Sequence, residues 1–485
     1  LCELQLTPTW EDGETPEEFN LVDAMLEAMA EAGWPTLGDR WRGGYMTAGA
    51  LRLRLGAVFD ADGELQYSWP APDDWWPADP VLPPKEEEEE EPEEMPTSIA
   101  ELDLPELLVD ASAIEALRKS RRPWVPTGVV ARRRGSIEPG TLVRLRGTND
   151  VYGDVALVDA LPDVAARRWS GDPLDAVYFD QTVSLRLDEA IARRADLIKG
   201  VADTDLFRLV HGEADGLPGL YVDRVGPLLR CVLDGAPPFA FKEQVYDLLG
   251  EFDEDTLILE VEQTMAFEEG KVPDARIARA GSRYVGSTEP IIIRERGVRY
   301  VCNPWSPQLT VDPAHRTTRR RLGEAVEVGS RWLVAASPWT ALPVVAAVRG
   351  ADEVLFAGDP AATDTLEESI VINGHDTDTT QRVAYGKLAE RMRAEETTFD
   401  GVICNLGFLE ETSPDQMAGR CLDLLDDGGT AILYSHPLYL AGDIAELEAF
   451  DGYDVEPFGP PADYPVLEDF PEGTPYRGVV VGGVR

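Results

Sequence analysis

Residues 332–360 read WLVAASPWTALPVVAAVRGADEVLFAGDP, two apolar runs separated by a stretch that favours a helix. This succession predicts a βαβ unit of a parallel sheet. The first turn of a nucleotide-binding unit is usually rich in glycine, because the backbone must approach the cofactor closely. Here the turn reads Ala335-Ala336-Ser337-Pro338-Trp339-Thr340 and has no glycine. The stretch therefore predicts the fold and raises the question of whether a cofactor binds.

Length and composition indicate a multidomain globular protein. A chain of 485 residues with 44% hydrophobic content has room for three or four domains. No apolar run approaches the roughly eighteen residues of a membrane span, and no leader opens the sequence, so we expect a soluble, cytoplasmic protein. The five cysteines and four histidines are dispersed, so neither a metal site nor a disulfide is expected.

The net charge of −46, from 44 basic and 90 acidic residues, is the strongest compositional signal. Such a surface suits a high-salt cytoplasm, where screening shortens the range of self-repulsion. A rival interpretation is a protein that binds a basic partner. Either way, the charge opposes loose binding to nucleic acid.

Changes in composition divide the chain. The run PPKEEEEEEPEEMPTS (83–98) cannot bury apolar surface and predicts a solvated linker. Short alternating strands with glycine-rich turns over 123–170 predict a barrel-like β module. The resulting boundaries are an N-terminal α+β module of unknown role (1–82), an acidic linker and connector helix (83–120), a β-barrel with a following helix (121–200), a central α+β domain (201–300) and an α/β domain (301–485).

A basic segment interrupts this acidic chain. Between Arg118 and Arg146 there are nine basic residues and one acid, Glu138. Concentrated arginine beside a tryptophan suits phosphate contacts and base stacking, although a solvated arginine face on a β domain accounts for it equally well. The candidate RNA-binding residues are Arg121, Arg122, Trp124, Arg132, Arg133 and Arg134.

Two further stretches carry a resemblance to a known family. LFRLVHGEADGLPGLYVDRVG (206–226) and DYPVLEDFPEGTPYRGVVVGGV (463–484) resemble segments of the bacterial large-subunit rRNA cytosine-5 methyltransferases that carry a PUA domain. The resemblance spans roughly residues 122–485. It implies an α/β multidomain fold with a PUA-like β-barrel, a small central α+β domain and a C-terminal Rossmann-like methyltransferase domain.

The cofactor motifs of that family are altered here. Its first turn resembles F-S-Y-T-G-G-F, whereas residues 336–342 read ASPWTAL and lack both glycines. We expect Ala341, Leu342 and Trp339 to occupy the space of S-adenosylmethionine. The remaining candidate cofactor ligands are Ser337, Thr340, Asp359 and Asn405.

The catalytic motifs are altered as well. The family's D-P-P-x-F motif is replaced by Asn405-Leu406-Gly407-Phe408, which keeps the outer frame of a motif for amino-group methylation. Methylation at cytosine C5 needs a thiolate that attacks C6. Where the family has that cysteine, after the fifth strand, this chain has Tyr434, Ser435 and His436. Cys404 precedes Asn405, and alternation along the strand predicts that it points into the core. The catalytic candidates are therefore Asn405, Phe408 and Cys404.

These patterns favour a pseudo-methyltransferase: an RNA- or ribosome-associated protein that keeps the scaffold, takes no cofactor and has lost cytosine-5 methylation. One alternative is an active S-adenosylmethionine-dependent RNA methyltransferase with divergent motifs, which acts on an amino group through Asn405 and Phe408. Another is a structural subunit whose acidic N-terminal region binds a basic protein partner.

Overall fold

The computed structural model of the chain describes residues 95–120, 122–133, 137–252, 256–262, 275–280, 289–306, 309–357, 360–384, 387–388, 390, 398–407, 412–440, 442–467 and 470–484. The predicted N-terminal module (1–82) and most of the acidic linker lie outside these residues. Residues 95–485 form one compact unit. Within the described part of the chain, no helix combines the length and apolarity needed to cross a membrane.

The first domain is a six-stranded mixed sheet in the order β2-β6-β5-β4-β1-β3. Strand β1 runs parallel to β4, and the other pairs are antiparallel. Alternating apolar residues of these strands enclose one core. The elements are β1 (Glu106–Val109), α1 (Ala111–Ser120), β2 (Trp124–Pro126), β3 (Val130–Arg133), β4 (Leu142–Gly147), β5 (Tyr152–Val158) and β6 (Val164–Ser170).

Within the predicted linker and connector helix (83–120), residues 111–120 are helical, but residues 106–109 form a strand that the sequence did not predict. Leu107 and Val109 of β1 are fully buried, and β1 pairs with β3 and β4 inside the sheet. A four-residue strand is too short for its alternation to stand out in sequence. Its partner strands also follow much later in the chain, so local patterning could not reveal the pairing.

The second domain is a five-stranded sheet in the order β11-β10-β9-β8-β7. Helix α5 crosses between β9 and β10, which run parallel, and helix α3 packs against the sheet through Val183 and Leu187. A two-stranded hairpin, β12–β13, follows. The elements are α2 (Leu174–Val177), α3 (Phe179–Arg193), α4 (Ala195–Lys199), β7 (Leu206–His211), β8 (Leu220–Val225), β9 (Leu228–Leu233), α5 (Lys242–Phe252), β10 (Leu257–Glu262), β11 (Ala275–Arg279), β12 (Ile291–Glu295) and β13 (Val298–Cys302).

One glycine of the 206–226 signature has a clear structural reason. Gly219 has φ of 74°, and a Cβ there would lie 2.3 Å from the carbonyl oxygen of Asp234. Since no side chain fits that gap, the turn before β8 requires glycine at this position.

The third domain is a seven-stranded sheet in the order β16-β15-β14-β17-β18-β20-β19. The strands are parallel except for β20, which lies antiparallel between β18 and β19. Apolar clusters cover both faces, which explains why β14 reads as a continuous apolar run. The elements are α6 (Arg316–Ala325), β14 (Arg331–Ala335), α7 (Leu342–Val348), β15 (Glu353–Ala357), α8 (Pro360–Ile372), β16 (Thr380–Val383), β17 (Phe399–Asn405), α9 (Pro414–Asp423), β18 (Leu425–Ser435), β19 (Tyr453–Phe458) and β20 (Arg477–Val484).

The connection between β19 and β20, residues 459–476, contacts all three domains, and we call it the strap. Phe470 packs edge-on against Trp124 of the first domain, with ring centroids 4.8 Å apart. Asp463 accepts a hydrogen bond of 2.8 Å from the Arg208 backbone N–H in the second domain and forms a buried ion pair with Arg316 in the third. The strap therefore fixes how the three sheets are placed against each other.

Candidate functional site

The strand order locates the candidate site. Along the chain the third sheet grows outward from β14 to β15 and β16, and then returns to the other side of β14 with β17. In open parallel sheets, ligands bind beyond the carboxyl ends of the strands at such a reversal. The site therefore lies where β14, β17 and β18 end.

The turn after β14 keeps a glycine-like conformation without glycine. Residues Pro338–Thr340 form one turn of 3₁₀ helix, and Ala341 has φ of 55° and ψ of 21°, in the left-handed region. This conformation costs a residue with a Cβ about 1–2 kcal/mol. The turn therefore has a backbone shape that glycine would adopt without strain.

The expectation that Ala341 and Leu342 occupy cofactor space is not supported. Both residues are fully buried and belong to the apolar core on one face of the sheet. Ser337 is exposed and Trp339 is half-buried, so these residues of the turn face solvent. Thr340, a predicted cofactor ligand, is buried, and its hydroxyl donates a 2.6 Å hydrogen bond to the Ser337 carbonyl.

A buried arginine holds this turn in place. The guanidinium of Arg319 donates to the carbonyl oxygens of Asp312 and Thr340 at 2.8 and 3.0 Å. It also pairs with Glu295 through two hydrogen bonds of 2.9 and 2.6 Å. Because one side chain makes all four hydrogen bonds, Arg319 links the β12–β13 hairpin to the turn after β14.

The fourth-strand candidates have mostly structural roles. The Asn405 side-chain oxygen accepts a 3.0 Å hydrogen bond from the Gly407 backbone N–H, so the amide caps its own turn. Cys404 is fully buried, as the alternation predicted, and it packs in the core with Cys421 of α9. Burial and the neighbouring Cys421 thiol raise the pKa of Cys404 well above its ordinary value. Phe408 and Asp359 lie outside the described residues.

The fifth strand supplies no activated nucleophile. Ser435 is fully buried, and its hydroxyl donates to the His436 carbonyl at 3.3 Å. The His436 Nδ1 atom accepts a 3.2 Å hydrogen bond from the Leu438 backbone N–H, and burial lowers the pKa of this imidazole. Since the imidazole and the hydroxyl are not bonded to each other, they do not form the nucleophile–base pair that a reactive serine needs.

A cluster of aromatic rings that sequence reasoning missed lies beside these strand ends. The imidazole of His315 stacks on Tyr476 of the strap, with centroids 5.0 Å apart, and meets Tyr434 at 5.1 Å. Desolvation lowers the pKa of His315 to about 4, so the ring is neutral at pH 7. No sequence motif joins these residues, because they come from three separated segments.

The basic segment of the first domain is largely paired within the protein. Arg122 forms an ion pair with Glu472 of the strap, and Trp124 donates from Nε1 to Glu213 at 2.8 Å. Arg144 and Arg146 share the carboxylate of Glu106. These contacts of Arg122 and Trp124 join the first domain to the other two, and their contact with RNA stays a prediction. The residues and side chains that the structure describes do not include Arg121, Arg134 or the side chains of Arg132 and Arg133.

No group of three His, Cys, Asp or Glu side chains that could hold a metal ion occurs among the described residues. The four described cysteines are buried free thiols. Cys2 lies outside the described residues.

Comparison with known proteins identifies the fold. No family model matches the sequence. The chain is 25% identical over 401 residues to a ribosomal RNA large subunit methyltransferase I from Erwinia tasmaniensis, covering 76% of this chain and 98% of that protein. The relative of the same name from Cronobacter sakazakii is 25% identical over 412 residues, with the same coverage. A protein from Streptococcus mutans assigned as a SAM-dependent methyltransferase superposes with a TM-score of 0.63 at 14% identity, covering 78% of this chain and all of that one.

The chain has a methyltransferase fold. Its homologues are ribosomal RNA large subunit methyltransferases, and a second solved methyltransferase, complexed with SAH, superposes with a TM-score of 0.62 at 14% identity over 78% of this chain. The SAH in that structure gives no support to the prediction that this chain takes no cofactor.

Proposed function

We propose that this protein binds RNA on a methyltransferase scaffold and does not methylate cytosine at C5. The observation that carries the proposal is the absence of an available thiolate at the carboxyl ends of β17 and β18, where the described residues offer only Cys404. That thiol is buried on the helix side of the sheet, with a raised pKa. A protonated, enclosed thiol cannot attack C6 of a cytosine.

The two residues in the expected place of the nucleophile do not replace it. Ser435 is buried, and its hydroxyl bonds the main chain instead of the His436 imidazole. An unactivated serine hydroxyl is a poor nucleophile, because only a base within hydrogen-bond distance could deprotonate it. The loss therefore concerns the chemical step, and it is separate from cofactor binding.

S-adenosylmethionine fits the turn after β14 in one respect: Ala341 keeps the left-handed backbone, and the side chains at 341 and 342 pack in the core. Ser337 and the backbone beside Trp339 would hold it, and when bound it would supply an electrophilic methyl group. This observation favours a second function, an RNA methyltransferase acting on an amino group beside Asn405.

A trapping experiment tests the first function. RNA containing 5-fluorocytosine forms a denaturant-stable adduct with enzymes that attack C6 and then transfer a methyl group to C5. Incubated with S-adenosylmethionine, the wild-type protein should give no adduct. A wild-type adduct that maps to Cys404 by mass spectrometry would contradict the proposal.

The matched variant is His436→Cys, which places a thiol at one of the three positions (434–436) where the resemblance implies the family's cysteine. An adduct with this variant alone would show that RNA and cofactor sites are intact and that only the nucleophile is missing. Titration calorimetry with S-adenosylmethionine separates the two functions. A micromolar dissociation constant together with methyl transfer to an amino group establishes the second.

A further inference from the structure

A cleft of about 160 Å³ opens behind the turn after β14. It is bounded by the β12–β13 hairpin, by α6 and by the end of α7, and its lining includes Arg296, Arg319, Arg320 and Arg349. The cleft lies away from the strand ends that form the candidate methyltransferase site. It touches that site only through Arg319, whose guanidinium also bonds the Thr340 carbonyl.

The charge inside this cleft is opposite to that of the chain. Its four arginines face two acids, Glu295 and Glu324, in a protein of net charge −46. Glu295 forms a buried ion pair with Arg319, and its charge is balanced by that guanidinium. Glu324 lies 3.9 Å from Arg320, at the limit of an ion pair.

Two of the arginines that line the cleft have no carboxylate partner among the described residues. Arg296 sits in the hairpin turn with φ of 50°, and Arg349 ends α7; both are exposed. Neither forms an ion pair with any carboxylate in the described part of the chain. Most arginines that the structure describes outside this cleft pair with carboxylates, whereas these two have no carboxylate partner among the described residues. Two such guanidinium groups at the mouth of one cleft favour the binding of an anion.

The helix beside the cleft leaves room for one of these side chains. Gly323 lies in α6, and a Cβ at that position would come within 3.2 Å of Nε of Arg349 and 3.4 Å of Val345. Glycine inside a helix costs about 1 kcal/mol relative to alanine. The residue at 323 therefore allows Arg349 to lie across α6 and reach the cleft.

We propose that this cleft binds a phosphate group between Arg296, Arg320 and Arg349. Guanidinium groups match phosphate oxygens through paired, charge-assisted hydrogen bonds, which a single ammonium does not provide. The proposal does not rest on the cytosine-5 chemistry, since none of the three proposed ligands lies at the strand ends of the candidate site. The phosphate is either a free anion or part of an RNA backbone.

Titration calorimetry at fixed ionic strength tests this site with two probes, inorganic phosphate and a single-stranded oligouridylate of eight nucleotides. The wild-type protein should bind at least one probe. Replacing Arg296 and Arg349 together with glutamine should weaken that binding about tenfold or more, because hydrogen bonds between charged partners are removed. Arg299→Gln is the matched control: Arg299 is exposed on the same hairpin but does not line the cleft, and its replacement should change the affinity little.

The two probes identify the source of the phosphate. If the anion is free, inorganic phosphate binds and the oligouridylate does not compete. If it belongs to RNA, the oligouridylate binds more tightly and an uncharged methylphosphonate analogue does not. Two results overturn the proposal: the wild-type protein binds neither probe, or the double variant and Arg299→Gln bind as the wild type does. Equal melting temperatures confirm that the exposed substitutions leave the fold intact.

Discussion

At the scale of single residues, Ala341 shows how the turn after β14 adopts a left-handed backbone without a glycine. Its φ of 55° is a conformation that glycine adopts without strain, while its methyl group is fully buried in the core. Two opposing effects therefore meet at one position. Replacement by glycine removes the strain, and it also removes a buried methyl group and increases the freedom of the unfolded chain.

We predict that Ala341→Gly changes the free energy of unfolding by less than about 1 kcal/mol, because the relief of left-handed strain offsets the other losses. Ala346→Gly is the matched control, since Ala346 is equally buried but lies inside α7. That variant should lose about 1 kcal/mol or more from helix propensity alone. Urea unfolding curves measure both values, and equal losses would show that position 341 is not strained.

At the scale of strands and helices, the sequence predicted elements well where one face or both faces are apolar. Strands β4 and β6 and the βαβ unit of β14, α7 and β15 follow from apolar runs with turn residues between them. Strand β1 was not predicted, because it is short and its partner strands are distant in the chain. The ion pairs were not predicted for the same reason, since Arg122 pairs with Glu472, 350 residues later in the chain. No local sequence pattern shows whether an arginine has a carboxylate partner.

For the candidate site as well, the sequence predicted local features but not contacts between distant segments. Sequence alternation gave the burial of Cys404, because that depends on the strand alone. The sequence did not predict that the Leu342 side chain packs in the core. Comparison with a family motif identifies the residue at a position but not the direction in which its side chain points. The His315–Tyr434–Tyr476 cluster depends on three separated segments, and tertiary packing alone brings them together.

Strand β3 ends with Arg132 and Arg133, and Arg134 follows in the sequence; these are three of the candidate RNA-binding residues. We predict that replacing Arg132, Arg133 and Arg134 with alanine weakens RNA binding and lowers the slope of log K against log salt by roughly one unit for each phosphate that is no longer neutralised. Arg122→Gln is the control, because Arg122 is paired with Glu472 and its replacement should leave the slope unchanged. Binding measured by fluorescence anisotropy at several KCl concentrations checks both. An unchanged slope in the triple variant would assign these arginines to a solvated face.

At the scale of the whole molecule, charge sets the conditions for stability. A net charge of −46 opposes the compact state through repulsion between like charges. The pairs inside the protein, such as Arg167 with Asp159 and Arg319 with Glu295, are buried and are screened much less than surface charges. Added salt should therefore relieve the repulsion while sparing these pairs.

We predict that the melting temperature rises between 0.1 and 1 M KCl, as the screening length falls from about 10 Å to about 3 Å. Scanning calorimetry measures the shift. NaCl should give a similar rise, because screening depends on ionic strength and not on the cation. A melting temperature that falls with salt would show that attraction between surface charges outweighs their repulsion.

The position of β20 has a consequence for how the third sheet is made on the ribosome. This strand lies between β18 and β19, yet it follows both along the chain. During synthesis β19 therefore emerges before its partner strand. Its backbone hydrogen-bonding groups stay unpaired until the strap and β20 have been synthesised. Exposed Asp454, Glu456 and Pro457 on that strand are the residue types that discourage edge-to-edge pairing with another chain. We therefore expect these residues to limit aggregation of the nascent chain during the interval before β20 inserts.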